Sequence, residues 1–153
     1  MACNIGMYSL GRAYRCKSCP AGYQCNNAAI EPTICPAGSY SALEKTQCEP
    51  CTEGHFCVAG SITPKKCAAG SYSAASAGSC TICDAGYYCL AGSVTPIPCQ
   101  AGTYSIAGKS VCTQCPAGSF CTVSVSEPTK CMGGFYSAVG AGVCIVCPAG
   151  STC

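Results

Sequence analysis

Cysteine recurs through this chain with a fixed period of 32 residues, which constrains the fold more than any other feature. The first set falls at positions 3, 16, 19 and 25, and it returns at 35, 48, 51, 57; at 67, 80, 83, 89; at 99, 112, 115, 121; and at 131, 144, 147, 153. No insertion or deletion interrupts the five units, although loops normally tolerate length changes. An unbroken period predicts regularly stacked structural repeats.

Each repeat contains two 16-residue half-units with the same opening. In every half-unit, glycine lies three positions after the first cysteine. In eight of the ten half-units, an aromatic residue lies five positions after that cysteine. The glycines are Gly6, Gly22, Gly38, Gly54, Gly70, Gly86, Gly102, Gly118, Gly134 and Gly150. The aromatic residues are Tyr8, Tyr40, Phe56, Tyr72, Tyr88, Tyr104, Phe120 and Tyr136. We predict repeats over 1–34, 35–66, 67–98, 99–130 and 131–153, the last lacking its C-terminal connector.

The two half-units of a repeat close differently. Odd half-units, which begin at the first cysteine of a repeat, place their second cysteine thirteen residues on, and this predicts a small hairpin closed at its base. Even half-units place their second cysteine six residues after the first. Thirteen residues after the first cysteine they carry proline, namely Pro32, Pro64, Pro96 and Pro128. Proline stiffens that segment because it fixes φ. The Cys-Pro-Ala-Gly opening predicts a type I turn with Pro second and Gly fourth, followed by a residue free to take positive φ.

Large apolar side chains are too scarce for an ordinary core. Leu, Ile, Val and Phe number 22 of 153 residues, below the roughly 20% at which a packed core becomes doubtful. Disorder usually accompanies strong charge, yet only 9% of residues are charged and the net charge is +2. We therefore expect the 20 cysteines to form disulfides in an extracellular or cell-surface setting. The predicted fold is small and disulfide-rich, with short β-hairpins and turns, little or no helix, and an elongated, solenoid-like shape.

Two disulfide pairings fit within each repeat. We favour first-to-second and third-to-fourth, because each half-unit then has its own bridge. The pairs would be Cys3–Cys16, Cys19–Cys25, Cys35–Cys48, Cys51–Cys57, Cys67–Cys80, Cys83–Cys89, Cys99–Cys112, Cys115–Cys121, Cys131–Cys144 and Cys147–Cys153. First-to-third with second-to-fourth is the alternative. Zinc knuckles would also use Cys-x-x-Cys, but five knuckles leave one unpaired and the other cysteines fit no familiar zinc module. We predict no metal and no cofactor.

The consensus C-P-A-G-x-Y-S-x(6)-C-x(2)-C-P-A-G-x-x-C, which residues 35–57 and 99–121 follow with small variations, resembles the ephrin-receptor-like cysteine-rich repeat. The resemblance covers essentially the whole chain, and it implies a receptor ectodomain, a secreted matrix protein or a protist surface protein. Residues 35–48 are also similar to the first module of tumour necrosis factor receptor repeats, where the corresponding cysteines bond to each other. That similarity supports first-to-second pairing. The chain lacks the six-cysteine module of those receptors, which speaks against cytokine binding.

The aromatic positions permit two interpretations. We predict that the rings pack between stacked turns as a thin apolar spine. Alternatively, exposed rings bind carbohydrate or a neighbouring subunit. The only histidine, His55, occupies a position that is variable among the repeats, and the six acidic residues form no recognisable constellation. We therefore predict no catalytic residues and no enzyme.

These patterns favour a structural extracellular protein that self-associates, end to end or laterally, in a fibre, surface coat or appendage. The alternative is a ligand-binding or stalk region of a cell-surface receptor or adhesin. Scattered basic residues argue against nucleic acid, and no apolar run approaches the roughly 18 residues of a membrane span. O-linked glycans on Ser and Thr are a further expectation. The chain is expected to be a mature product or an excerpt of a longer secreted protein.

Overall fold

The structure, a computed structural model, describes residues 3–10 and 15–152. Within these residues the regular structure consists of two-residue strands, and no helix occurs there. The strands are β1 (Met7–Tyr8), β2 (Lys17–Ser18), β3 (Tyr23–Gln24), β4 (Thr33–Ile34), β5 (Ser39–Tyr40), β6 (Glu49–Pro50), β7 (His55–Phe56), β8 (Lys65–Lys66), β9 (Ser71–Tyr72), β10 (Thr81–Ile82), β11 (Tyr87–Tyr88), β12 (Ile97–Pro98), β13 (Thr103–Tyr104), β14 (Thr113–Gln114), β15 (Ser119–Phe120), β16 (Thr129–Lys130), β17 (Phe135–Tyr136) and β18 (Ile145–Val146). The prediction of a disulfide-rich fold of short hairpins is confirmed.

Odd and even half-units form the same antiparallel hairpin. We number positions by their offset from the first cysteine of the half-unit. Offset 4 pairs with offset 15 and offset 5 with offset 14, as in Tyr40 with Glu49 in an odd half-unit and Phe56 with Lys65 in an even one. Each hairpin is extended by one bond, in which the next cysteine donates its N–H to the glycine carbonyl, as from Cys51 to Gly38 at 2.9 Å. One hairpin geometry therefore accommodates both closures.

The turn that opens each hairpin lies one residue later than predicted. In residues 36–39 the backbone N–H of Ser39 donates to the carbonyl of Pro36 at 3.1 Å, so proline is first and glycine third. Gly38 has φ of 89°, which a type II turn requires at its third position. The predicted type I turn over Cys-Pro-Ala-Gly is therefore wrong, although the positive φ occurs at the glycine itself. The Oγ of Ser39 also donates to the Pro36 carbonyl, at 2.8 Å.

Cystine and serine form the buried interior. Among the described residues, every buried hydrophobic side chain is a cysteine at offset 0 or offset 6. These are Cys19, Cys25, Cys35, Cys51, Cys57, Cys67, Cys83, Cys89, Cys99, Cys115 and Cys121. The buried polar side chains are Ser41, Ser73, Ser105, Ser119 and Ser137. Disulfides therefore occupy the place of an aliphatic core.

The chain divides into two compact units. Unit 1 comprises Met1–Cys67 and Ser73–Cys80, and unit 2 comprises Ala68–Tyr72 and Thr81–Cys153. Residues of the third repeat fall in both units. Six of the eight Lys and Arg residues lie in the sequence of unit 1, so unit 2 is much the poorer in charge.

The described residues include no helix with the length and apolar character needed to cross a membrane.

Candidate functional site: the junction between half-units

The disulfides close each half-unit upon itself. Nine bridges join first to second or third to fourth cysteines, and their Cα atoms lie 5.7 to 6.0 Å apart. They are Cys3–Cys16, Cys19–Cys25, Cys35–Cys48, Cys51–Cys57, Cys67–Cys80, Cys83–Cys89, Cys99–Cys112, Cys115–Cys121 and Cys131–Cys144. The expected Cys147–Cys153 bridge lies outside the described residues, because Cys153 is not among them. No described disulfide connects two half-units, so other interactions must hold the half-units together.

The turn glycine of one half-unit donates its backbone N–H to the next half-unit. The acceptor is always the carbonyl at offset 6, which belongs to serine in odd half-units and cysteine in even ones. Seven junctions make this bond at 2.7 to 3.1 Å, from Gly22 to Ser41, Gly38 to Cys57, Gly54 to Ser73, Gly70 to Cys89, Gly86 to Ser105, Gly102 to Cys121 and Gly118 to Ser137. Because only backbone atoms take part, the bond does not depend on which half-unit follows.

Two more backbone bonds complete the junction. The carbonyl of the first cysteine accepts from the N–H at offset 9 of the next half-unit, as Cys35 does from Gly60 at 2.9 Å. The N–H at offset 6 donates to the carbonyl at offset 10 of the next half-unit, as Ser41 does to Ser61 at 3.1 Å. Across the junction between residues 35–50 and 51–66, three backbone hydrogen bonds therefore connect successive half-units. Paired backbone groups of this kind avoid the cost of burying unsatisfied N–H and C=O groups.

Serine at offset 6 of odd half-units adds a side-chain bond to the junction. Its Oγ donates to the carbonyl at offset 4 of the preceding half-unit, at 2.6 to 2.8 Å, from Ser41 to Tyr23, Ser73 to His55, Ser105 to Tyr87 and Ser137 to Ser119. The four serine side chains are at most 6% exposed. The sequence analysis assigned these serines no role, although serine recurs at 9, 41, 73, 105 and 137 wherever even half-units carry cysteine. That alternation was the available signal.

The turn glycines also allow a close approach between half-units one full repeat apart. A Cβ added at Gly6, Gly22, Gly38, Gly70, Gly86 or Gly102 would collide with the carbonyl oxygen at offset 9 two half-units later. Gly118 and Gly134 have nothing within 4 Å of the same position. The six glycines with a close neighbour therefore meet two requirements: their φ is positive, and the backbone of the next repeat lies against them.

Most residues at offset 9 adopt the left-handed backbone conformation, as the turn glycines at offset 3 do, and the sequence analysis did not predict this. Seven half-units place a residue of positive φ there, namely Glu44, Gly60, Ser76, Gly92, Gly108, Ser124 and Gly140. Only four of the seven are glycine, so the pattern is weaker in sequence than that at offset 3. The conformation is needed because the N–H at this position is directed to the first cysteine of the preceding half-unit, as in the 2.8 Å bond from Ser76 to Cys51.

The predicted aromatic residues are only partly covered by the rest of the chain. Tyr8, Tyr40, Phe56, Tyr72, Tyr88, Tyr104 and Phe120 are half-buried, and Tyr136 is exposed. Each is the second residue of a two-residue strand, and part of each residue is exposed to solvent, whereas the buried hydrophobic side chains of the described residues are cysteines.

One charged cluster lies on the hairpin of residues 35–50. The Nζ of Lys45 forms an ion pair with Oε1 of Glu49 at 3.0 Å, and the Tyr40 hydroxyl donates to Oε2 at 3.0 Å. The hydrogen bond from Lys45 lowers the pKa of Glu49, and the hydrogen bond to Glu49 raises the pKa of Tyr40. The pair is exposed, so it contributes little to stability.

The other residues that the sequence analysis considered for metal binding or catalysis are the cysteines, the acidic residues and His55. Within the described ranges, no three His, Cys, Asp or Glu side chains cluster in a way that could hold a metal ion. His55 lies in strand β7, its Nδ1 is 2.9 Å from the Glu53 carbonyl, and its cross-strand partner is Lys66. The described contacts consist mainly of disulfides within half-units and repeated backbone hydrogen bonds between them. So many disulfides indicate an extracellular or secreted protein.

No protein-family model and no curated protein matches this chain.

Proposed function

We propose that this chain is a structural extracellular protein whose disulfide-bonded repeats self-associate in a fibre, surface coat or appendage. The observation that supports this proposal is the uniform junction, where the same backbone atoms bond at the same offsets in seven places. A junction made of backbone groups accepts any half-unit that follows the pattern, so the design extends by repetition. An enzyme would need one region that departs from the others, and we propose no catalytic role.

The composition of the surface also favours assembly. Only 9% of residues are charged, so electrostatic repulsion between copies is weak. Hairpin β17–β18 exposes all four of its paired side chains, namely Phe135, Tyr136, Ile145 and Val146, at 41 to 64%. Exposed apolar surface that is contiguous commonly marks an interaction site. A chain built for structure and exposed to proteases also benefits from disulfides, which restrict local unfolding.

Concentration-dependent assembly tests the proposal. The oxidised chain is examined by sedimentation velocity and negative-stain electron microscopy over a wide concentration range, beside a reduced and alkylated sample. We expect regular assemblies that grow with concentration in the oxidised sample alone, because alkylation removes the bridges that hold the hairpins. A population that stays monomeric and dispersed at every concentration would contradict self-association.

A ligand-binding or stalk region of a receptor or adhesin is the second candidate. It is favoured by the concentration of six of eight cations in the sequence of unit 1, including Lys65 and Lys66 on strand β8. Saturable binding of a cell-surface component by a monomeric chain, lost on Lys65→Gln/Lys66→Gln, would support this candidate over assembly.

A further inference from the structure

A groove lies in unit 2 between two successive hairpins. Hairpin β11–β12 forms one side and hairpin β13–β14 the other, and the groove has a volume of about 340 Å³. Its lining consists of Tyr88, Ile97, Pro98, Gln100, Thr103 and Val111, with Cys112 of the Cys99–Cys112 bridge. This volume is at the lower end of the range of small-ligand sites, about 300 to 1,000 Å³.

The groove has an apolar wall and no charge. Tyr88 is the cross-strand partner of Ile97, and Pro98 follows on the same strand. Val111 continues the wall from the facing half-unit, with 63% of its surface exposed. None of the lining side chains carries a charge at neutral pH. A charged ligand would therefore lose its hydration here without gaining an ion pair, which favours a neutral one.

Polar groups are available beside the apolar wall. The groove lining includes the Tyr88 hydroxyl and the Gln100 side-chain amide. The Thr103 hydroxyl donates to the Gln100 backbone carbonyl at 2.8 Å, and its oxygen can still accept. Together these groups offer both donors and acceptors at the edge of an aromatic ring.

We propose that this groove binds a neutral saccharide. A pyranose ring has an apolar face of C–H groups and a rim of hydroxyls, so it complements an aromatic face flanked by an amide and hydroxyl groups. A peptide added as a further strand is disfavoured, because the strands on both sides are only two residues long. The proposal goes beyond the structural role, since it assigns a ligand to one position in the array.

Unit 1 contains a comparable groove that lacks the aromatic ring. That groove has a volume of about 400 Å³ and is lined by Gln24, Pro36, Ala37, Gly38, Ser39, Cys48, Pro50 and Ser76. Gln24 occupies the offset of Tyr88, and Pro36 occupies the offset of Gln100. The aromatic ring is therefore missing from it, and its amide belongs to Gln24, whose Oε1 accepts a hydrogen bond from the Cys48 N–H at 3.4 Å. The chain itself shows that glutamine and proline are compatible with the fold at these offsets.

Titration with neutral oligosaccharides tests the site. The full oxidised chain is titrated separately with cellotriose, maltotriose and triacetylchitotriose, and binding is followed by saturation-transfer NMR and by chemical shifts of labelled tyrosine rings. We expect saturable binding of at least one probe with perturbation of Tyr88. Tyr88→Gln is expected to weaken that binding at least about tenfold, because stacking on the ring is lost. Gln100→Pro is expected to weaken it severalfold.

Phe120→Gln is the control, because Phe120 is an aromatic residue at the same offset of another even half-unit and lies outside the groove. It should leave the affinity unchanged. The proposal is overturned if none of the three probes binds saturably, if Phe120→Gln weakens binding as much as Tyr88→Gln, or if a sulfated oligosaccharide displaces the neutral probes. Sedimentation of each variant shows whether assembly is retained, so loss of saccharide binding is distinguishable from loss of self-association.

Discussion

Odd and even half-units form the same hairpin with different chemistry. In residues 35–50, Cys35 bonds to the half-buried Cys48 at the base of the hairpin, and the buried offset 6 is Ser41. In residues 51–66, Cys51 bonds to the buried Cys57, and Pro64 occupies the half-buried offset 13. At offset 6 the odd half-unit has serine where the even one has its second cysteine. At offset 13 the odd half-unit has its second cysteine where the even one has proline. The comparison teaches that one hairpin register is compatible with two positions of the second cysteine.

Removal of an even bridge should have the largest effect. Cys51→Ala/Cys57→Ala opens a six-residue loop, for which chain entropy predicts a loss of about 2 kcal/mol. Two buried sulfur atoms also disappear, and the cavity should raise the total loss to about 4 kcal/mol. Guanidinium unfolding followed by tyrosine fluorescence measures the change. Val58→Ala, in the same half-unit and half exposed, is the control and should cost less than about 0.5 kcal/mol. A double variant as stable as this control would contradict the role of the bridge.

Alanine at a covered turn glycine should destabilise more than alanine at an open one. Gly102 and Gly118 have φ of 87° and 76°, and both donate to the next half-unit, so alanine has a similar backbone cost of about 1 kcal/mol at each. Only at Gly102 would the new Cβ collide with the carbonyl of Gly140. We expect total losses of about 3 and 1 kcal/mol, respectively, in thermal unfolding. Equal losses would show that the close approach of repeats carries no energy.

The buried serine should matter less than either of these. Ser73→Ala removes the 2.8 Å hydrogen bond to the His55 carbonyl at a position that is 2% exposed. A buried hydrogen bond of this kind is worth about 1 kcal/mol, so stability should fall by about that amount in denaturant unfolding. Ser79→Ala, at an exposed position of the same half-unit, is the matched control and should change stability by less than about 0.5 kcal/mol. If the two variants were equally stable, the bond from Ser73 would contribute nothing.

Conversion of an even half-unit into an odd one tests the comparison directly. Cys57→Ser/Pro64→Cys places the serine and the second cysteine at the offsets that an odd half-unit uses. We expect a new disulfide between Cys51 and the cysteine introduced at position 64, detected by non-reducing peptide mapping. The longer loop should add about 0.7 kcal/mol and the lost proline should remove a similar amount, so stability is nearly unchanged.

Failure of Cys51 to bond to the introduced cysteine, or pairing of the introduced cysteine with one of another half-unit, would contradict the equivalence of the two hairpins. The single variant Cys57→Ser, which leaves Cys51 without its partner, is the control and should lose stability as the bridge deletion does.

The sequence predicted the features that follow directly from the cysteine period. The hairpins, the turn glycines at offset 3 and the lack of a large apolar core could all be inferred, because each depends on residue type at a fixed spacing. The turn register was wrong by one residue, since Pro-Ala-Gly-Ser and Cys-Pro-Ala-Gly both contain acceptable turn residues. The regular serine at offset 6 was a signal for a structural role of Ser73, but its partner could not be inferred, because the acceptor is a backbone carbonyl 18 residues earlier. The left-handed position at offset 9 was missed because Glu44, Ser76 and Ser124 adopt a conformation that glycine normally marks.

The smallest expected effect concerns the charged cluster of an odd half-unit, for which the paired even half-unit has no counterpart. Lys45 lowers the pKa of Glu49, so the folded state favours the ionised carboxylate, and its contribution is present above the ordinary value of 4.5 and lost as the pH falls through the lowered pKa. Glu49 raises the pKa of Tyr40, so that contribution is present below the ordinary value of 10.0 and lost as the pH rises through the raised pKa. Glu49→Gln should lower the pKa of Tyr40, measured by NMR titration of its ring carbon. Glu53→Gln should leave it unchanged, and an unaltered titration of Tyr40 in Glu49→Gln would show that the hydrogen bond does not persist in solution.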